Sequence, residues 1–168
     1  MAFAAFATAV DARSKSPWSA TLYAGVATNR NFTDLLDSGF AVHNAMAGFA
    51  LNRRLVNLGG GFSLSAEGQI TQYTFGHNYE TAALGLGLEF NRFPWDWPTT
   101  FSAYVGPSYA INPVTTARYF KGKALLNYLG VELAVAIPKA DGWDGVIRVY
   151  HRSGVWGIYS LSYDENSM

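Results

Sequence analysis

Apolar and polar side chains alternate with a period of two along most of this chain, and that pattern limits its possible folds more than any other feature. In 62–71, Phe62, Leu64, Ala66, Gly68 and Ile70 share one phase, and Ser63, Ser65, Glu67, Gln69 and Thr71 share the other. The same alternation runs through 81–91, 101–111 and 124–137, where Leu84, Leu86, Leu88, Val105, Leu129 and Leu133 mark the apolar phase. Such a period places one face of an extended strand against an apolar medium and the other against something polar. Weaker alternation covers 18–27, 40–52 and 145–153, and 157–163 adds a final partial strand, giving eight.

Composition narrows the class. The chain has 168 residues, the length of one domain. Twelve Lys plus Arg balance twelve Asp plus Glu, so no excess of positive charge is present to displace counterions from a nucleic acid. With 49% hydrophobic and 15% aromatic residues it carries too much apolar surface for a disordered chain. No Cys is present, which excludes thiol catalysis, thiolate metal sites and disulfides. Only four Lys are available to cover a soluble surface. Yet no run of about 18 apolar residues exists to make a spanning helix.

Strands therefore have to supply any apolar exterior. The polar phase carries Ser, Gly, Ala, Tyr and a few isolated charges, Glu67, Glu89, Glu132, Arg148 and Arg152. That is poor cover against water but a good filling for a narrow barrel, where carboxylates pair with guanidiniums. Connections alternate in character: 28–39, 72–80 and 112–122 are longer, while 53–60, 94–99 and 138–144 are shorter and hold Pro94, Pro98, Pro138 and Gly142. Aromatic residues gather near strand ends, at Trp18, Phe40, Tyr73, Phe93, Trp95, Trp97 and Trp143, as interfacial girdles require. The expected fold is all-β, an eight-stranded antiparallel up-and-down transmembrane β-barrel. A lipocalin-like soluble carrier, with the apolar phase turned inward, is the rival arrangement.

The ends read differently. Residues 2–10 are rich in Ala and Phe and lead to small residues, so 1–16 reads as a signal-peptide remnant and leader, with the barrel in 17–168. The chain finishes Asp164-Glu165-Asn166-Ser167-Met168 without a terminal aromatic residue, so the last strand reads as short or truncated.

One strand carries candidate chemistry. In 145–153, Arg148, Tyr150 and Arg152 share the interior phase, which leaves His151 and Ser153 on the outward one. Two residues apart on a strand, they lie on one face with roughly 7 Å between Cα atoms. Under the barrel topology they sit at the outer end of their strand, where a polar pair on the apolar wall is least costly. The plain alternative is a pair of interfacial polar residues. Other candidates point to structure: Gly59-Gly60-Gly61 precedes a strand and reads as a turn, and Glu67, Glu89 and Glu132 read as interior ion-pair partners. A metal at His43 or His77, the latter in a loop beside Asn78 and Glu80, needs carboxylate partners whose convergence the sequence does not show.

His151-x-Ser153 near the end of an eight-stranded barrel resembles the lipid A 3-O-deacylases of the PagL type. The resemblance spans the architecture of most of the chain through a motif of a few residues. It implies an exterior Ser–His–Glu triad, with Ser153 as nucleophile, His151 as general base and Glu165, fourteen residues beyond His151, as its orienter. It implies lipid A or lipopolysaccharide as substrate, outer-membrane lipid as surroundings, no cofactor and a bacterial outer-membrane location. Where the family follows its Ser with Asn and Ala, this chain has Gly154 and Val155. Oxyanion stabilisation then falls to the Gly154 backbone N–H or to Asn166. The competing expectation is a non-catalytic barrel whose loops act at the cell surface.

Overall fold

The computed structural model describes residues 2–10, 16–27, 44–74, 78–111 and 124–153, with 2–10 and 44 described by backbone alone. The strands are β1 (Ala2–Val10), β2 (Trp18–Ala27), β3 (Asn44–Gly59), β4 (Phe62–Thr74), β5 (Tyr79–Phe90), β6 (Thr99–Ile111), β7 (Leu125–Ala136) and β8 (Trp143–Ser153). Strands β2 to β8 form a curled antiparallel up-and-down sheet, each paired with the next in sequence. The described residues contain no helix.

Strand β1 lies between the two edges of that sheet, with Val10 opposite both Ala20 of β2 and Trp143 of β8, and closes it into a barrel. Residues 2–10, read from the sequence as part of a leader outside the barrel, thus run as a strand of it. The open edges of β2 and β8 each present unmade backbone hydrogen bonds, and one added strand satisfies both rows. The partial strand expected at 157–163 lies outside the described residues.

Phase follows the sequence. Ser63, Ser65, Glu67, Gln69 and Thr71 of β4 are buried in the interior, as are Glu89, Glu132, Arg148 and Arg152. Leu84, Leu86 and Leu88 of β5, Val105 of β6 and Ile147 of β8 stand exposed on the outer wall. This reverses the ordinary arrangement of a soluble protein and leaves an apolar exterior far larger than chance patches.

Interior space is shared between tyrosines and glycines. A side chain at Gly48 would collide with the Tyr23 ring, one at Gly87 with Tyr104, and one at Gly130 with Tyr128. Gly48 and Gly87 sit directly opposite those tyrosines in the ladder, so each missing side chain makes room for a ring lying across the sheet.

Two connections are shorter than expected. Strand β3 continues through the supposed 53–60 connection to Gly59, with two register shifts, between Arg54 and Val56 and between Asn57 and Gly59, that break its alternation. Its turn is Gly60-Gly61, and Gly59, Gly60 and Gly61 all take positive φ, confirming a turn. Strands β4 and β5 extend towards each other until only 75–78 connects them. Tyr73, expected in a girdle, is instead buried inside and stacked on Tyr79 with ring centroids 4.4 Å apart. It shares the phase of Thr71, and that phase turns it inward. Trp18, Trp95, Trp97 and Trp143 are exposed at the end of the barrel that carries the short turns.

Candidate active site on the outer wall

The candidate pair is positioned by β8, whose inward residues are anchored by an ion cluster. Arg148 Nη2 lies 2.6 Å from Glu67 Oε2, and its Nε donates to Glu132 Oε2 at 2.8 Å. Arg148 Nη1 also donates to Gln69 Oε1 at 3.0 Å, and the Tyr128 hydroxyl donates to Glu67 Oε1 at 2.6 Å. The guanidinium lies 5.4 Å from the centroid of the Tyr23 ring. Two carboxylates, an amide and a ring thus surround one cation, the condition under which a buried charge is tolerated. Further along β8, Tyr150 packs on Tyr128 with ring centroids 5.1 Å apart. Arg152 Nη2 approaches the carbonyls of Ala124 and Ser108 at 3.4 and 3.5 Å.

With Arg148, Tyr150 and Arg152 held inside, the pleat turns the intervening residues outward. His151 and Ser153 occupy that outward phase, both half-buried, at the end of β8 away from the short turns. Across the ladder His151 faces Leu129 and Ser153 faces Asn127, both on β7, while Ala2 of β1 faces His151 on the other side. Leu129, Leu125 and Tyr109 give the surrounding wall its exposed apolar surface. The pair thus shares the phase and the strand end that the sequence pattern assigns to it. Glu165, Gly154 and Asn166 lie outside the described residues, as do His43 and His77. Among the described residues no group of His, Asp and Glu suits a metal ion.

Asn127 escaped notice at the level of sequence. Its signal was a polar residue in the apolar phase of β7, between Leu125 and Leu129. Only the register reveals that this interruption stands opposite Ser153.

Two cavities bounded by described residues lie at the other end of the barrel. A cleft of about 870 Å³ between Trp97, Pro98, Ile137, Pro138 and Trp143 opens at the short-turn end, remote from His151. Inside that end, a pocket of about 50 Å³ touches Asn52, Glu67, Tyr104, Glu132 and Asp144. It is closed down by Asn52 donating to the Tyr104 hydroxyl at 2.8 Å and by the Arg54–Glu89 ion pair at 3.4 Å. So small a space suits ordered water rather than a solute pathway.

No protein-family model matches this chain, and no curated protein or solved structure matches it.

Proposed function

We propose that this protein is an eight-stranded barrel of the bacterial outer membrane that hydrolyses an ester-linked acyl chain of lipid A, at the 3-position. The observation that carries the reading is that His151 and Ser153 both fall in the outward phase of β8, beside exposed Leu125 and Leu129, at the end away from the short turns. A substrate embedded in the same bilayer meets that pair without entering a cavity, because insertion of the barrel already fixes depth and orientation.

In this reading the imidazole of His151 takes the proton of the Ser153 hydroxyl as Oγ bonds to the ester carbonyl. Collapse of the tetrahedral intermediate breaks the bond to the sugar oxygen, which receives the proton from His151. Water, activated by the same imidazole, then cleaves the acyl-enzyme and releases a fatty acid. Glu165 is the proposed partner of the other ring nitrogen, fixing the tautomer and stabilising the imidazolium.

A non-catalytic wall protein is the second reading. It is favoured by the absence, among the described residues, of any carboxylate on the outward faces of β7 and β8. Incubating purified, folded protein with lipid A and reading the lipid by mass spectrometry separates the two. The enzyme reading expects loss of one acyl chain, abolished by Ser153→Ala. Intact lipid A after prolonged incubation with the wild type would sink it.

A further inference from the structure

We propose that Asn127 supplies the oxyanion donor for the reaction at Ser153; this rests on the deacylase reading above. The register places Asn127 directly opposite Ser153 on the neighbouring strand. Directly paired residues on one face hold their Cβ atoms about 4.5–5.5 Å apart. A carboxamide on one and a hydroxyl on the other can therefore address the same ligand atom.

Burial separates Asn127 from its neighbours. Leu125 and Leu129, before and after it in the outward phase of β7, are 44% and 43% exposed, whereas Asn127 is 8% exposed. Its side chain is therefore covered where those of its two neighbours are not. On its other flank the ladder partner is Pro107 of β6, an exposed ring with neither a side-chain polar atom nor an N–H. Among the described strands its polar neighbours on the wall are Ser153 directly opposite, with His151 of β8 and the Tyr109 hydroxyl of β6 on the diagonals. An amide held in an apolar wall beside a nucleophile is oriented before the reaction begins, which is what makes a donor effective.

The chemistry requires such a group. When Ser153 Oγ bonds to the carbonyl carbon, the carbonyl π pair moves onto oxygen and leaves a negative charge in an apolar medium. Asn127 Nδ2 carries two N–H donors and no charge of its own, so it stabilises that oxygen with little affinity for the neutral ground state. As the C=O re-forms, the bond to the sugar oxygen breaks and the proton passes from His151 to that leaving oxygen. The acyl chain itself has exposed Leu125, Leu129 and Tyr109 to lie against.

The test compares wild type, Asn127→Ala, Asn127→Asp and Asn127→Ser on purified lipopolysaccharide in detergent micelles, with heat-modifiable gel mobility as the check on folding. Removing a polar group from an apolar wall leaves the Ala variant at least as able to fold. The expected result is a kcat lower by about 10²–10³ for Ala and Asp with KM little changed, and partial recovery with Ser, which keeps a donor. Active wild type with kcat of both the Ala and Asp variants within threefold of it would overturn the assignment while leaving the deacylase reading in place. So would a rise in KM at constant kcat, which marks ground-state anchoring instead. Wild type that leaves lipid A intact would remove the deacylase reading and this assignment together.

Discussion

Arg148 and Glu67 meet across the barrel interior at 2.6 Å although 81 residues separate them in the chain. Both are almost fully buried, and the same guanidinium also pairs with Glu132. The cluster pins β8 to β4 through the lumen and to its neighbour β7, at a point three residues before His151. Arg148→Met leaves two buried carboxylates facing each other, and such a loss costs about 3–5 kcal/mol. Arg148→Met combined with Glu67→Gln and Glu132→Gln should recover most of that, because no uncompensated charge remains. Urea unfolding in micelles, followed by Trp fluorescence, reads both. A single variant as stable as wild type would show that the cluster does not hold the barrel.

Leu86 lies midway along β5 and is 57% exposed, opposite Ala66 and Val105 on the wall. If the wall faces lipid, Leu86→Arg should destabilise the folded barrel in bilayers by about 2–4 kcal/mol, the cost of a cation near the membrane centre. The same substitution on a water-facing barrel would raise solubility and leave stability within about 0.5 kcal/mol. The outward apolar phase already departs from a lipocalin-like carrier; unfolding in lipid vesicles tests whether that wall faces lipid, and a silent Leu86→Arg would overturn the membrane reading.

The interior phase was legible because the pleat has a period of two and this chain keeps it. Glu67, Glu89, Glu132, Arg148 and Arg152 are all buried as that period requires. His151 and Ser153 followed from the same counting. Proximity to a strand end suggests a girdle position for Tyr73, but the phase it shares with Thr71 turns it inward. The far end of β3 was misread for a different reason: two register shifts reset the alternation between Arg54 and Gly59. Arg54, the partner of Glu89, lies in this irregular stretch, where alternation alone does not reveal a strand. Asn127 was visible as a lapse in apolar phase, but its significance depends on pairing across strands. Closure is longer in range still, since alternation says that a strand exists and not which edge it completes.

The slot between β8 and β2 accommodates one strand, and two segments carry a pattern for it. The structure fills it with Ala2–Val10, which places Ala4 opposite Val149. The alternative at 157–163 has a consequence for the proposed triad. At about 3.3 Å per residue, a strand descending from the level of Ser153 at position 157 would carry Glu165 about 26 Å down the wall. A final strand at 157–163 and an orienting role for Glu165 therefore exclude one another, whereas Ala2–Val10 in the slot is compatible with that role. Because the chain has no Cys, an engineered pair has no competitor. Ladder partners hold Cα atoms about 4.5–5.5 Å apart, within the span of a disulfide. Ala4→Cys with Val149→Cys should form an intramolecular disulfide on mild oxidation of the folded barrel, read by intact mass and by mobility without reductant. In that background Glu165→Gln should lower kcat about 10⁴-fold, as expected when an imidazole loses its orienting carboxylate. No bridge at Ala4, together with bridging of Val149→Cys to Leu161→Cys, would assign the slot to 157–163 and remove Glu165 from the triad.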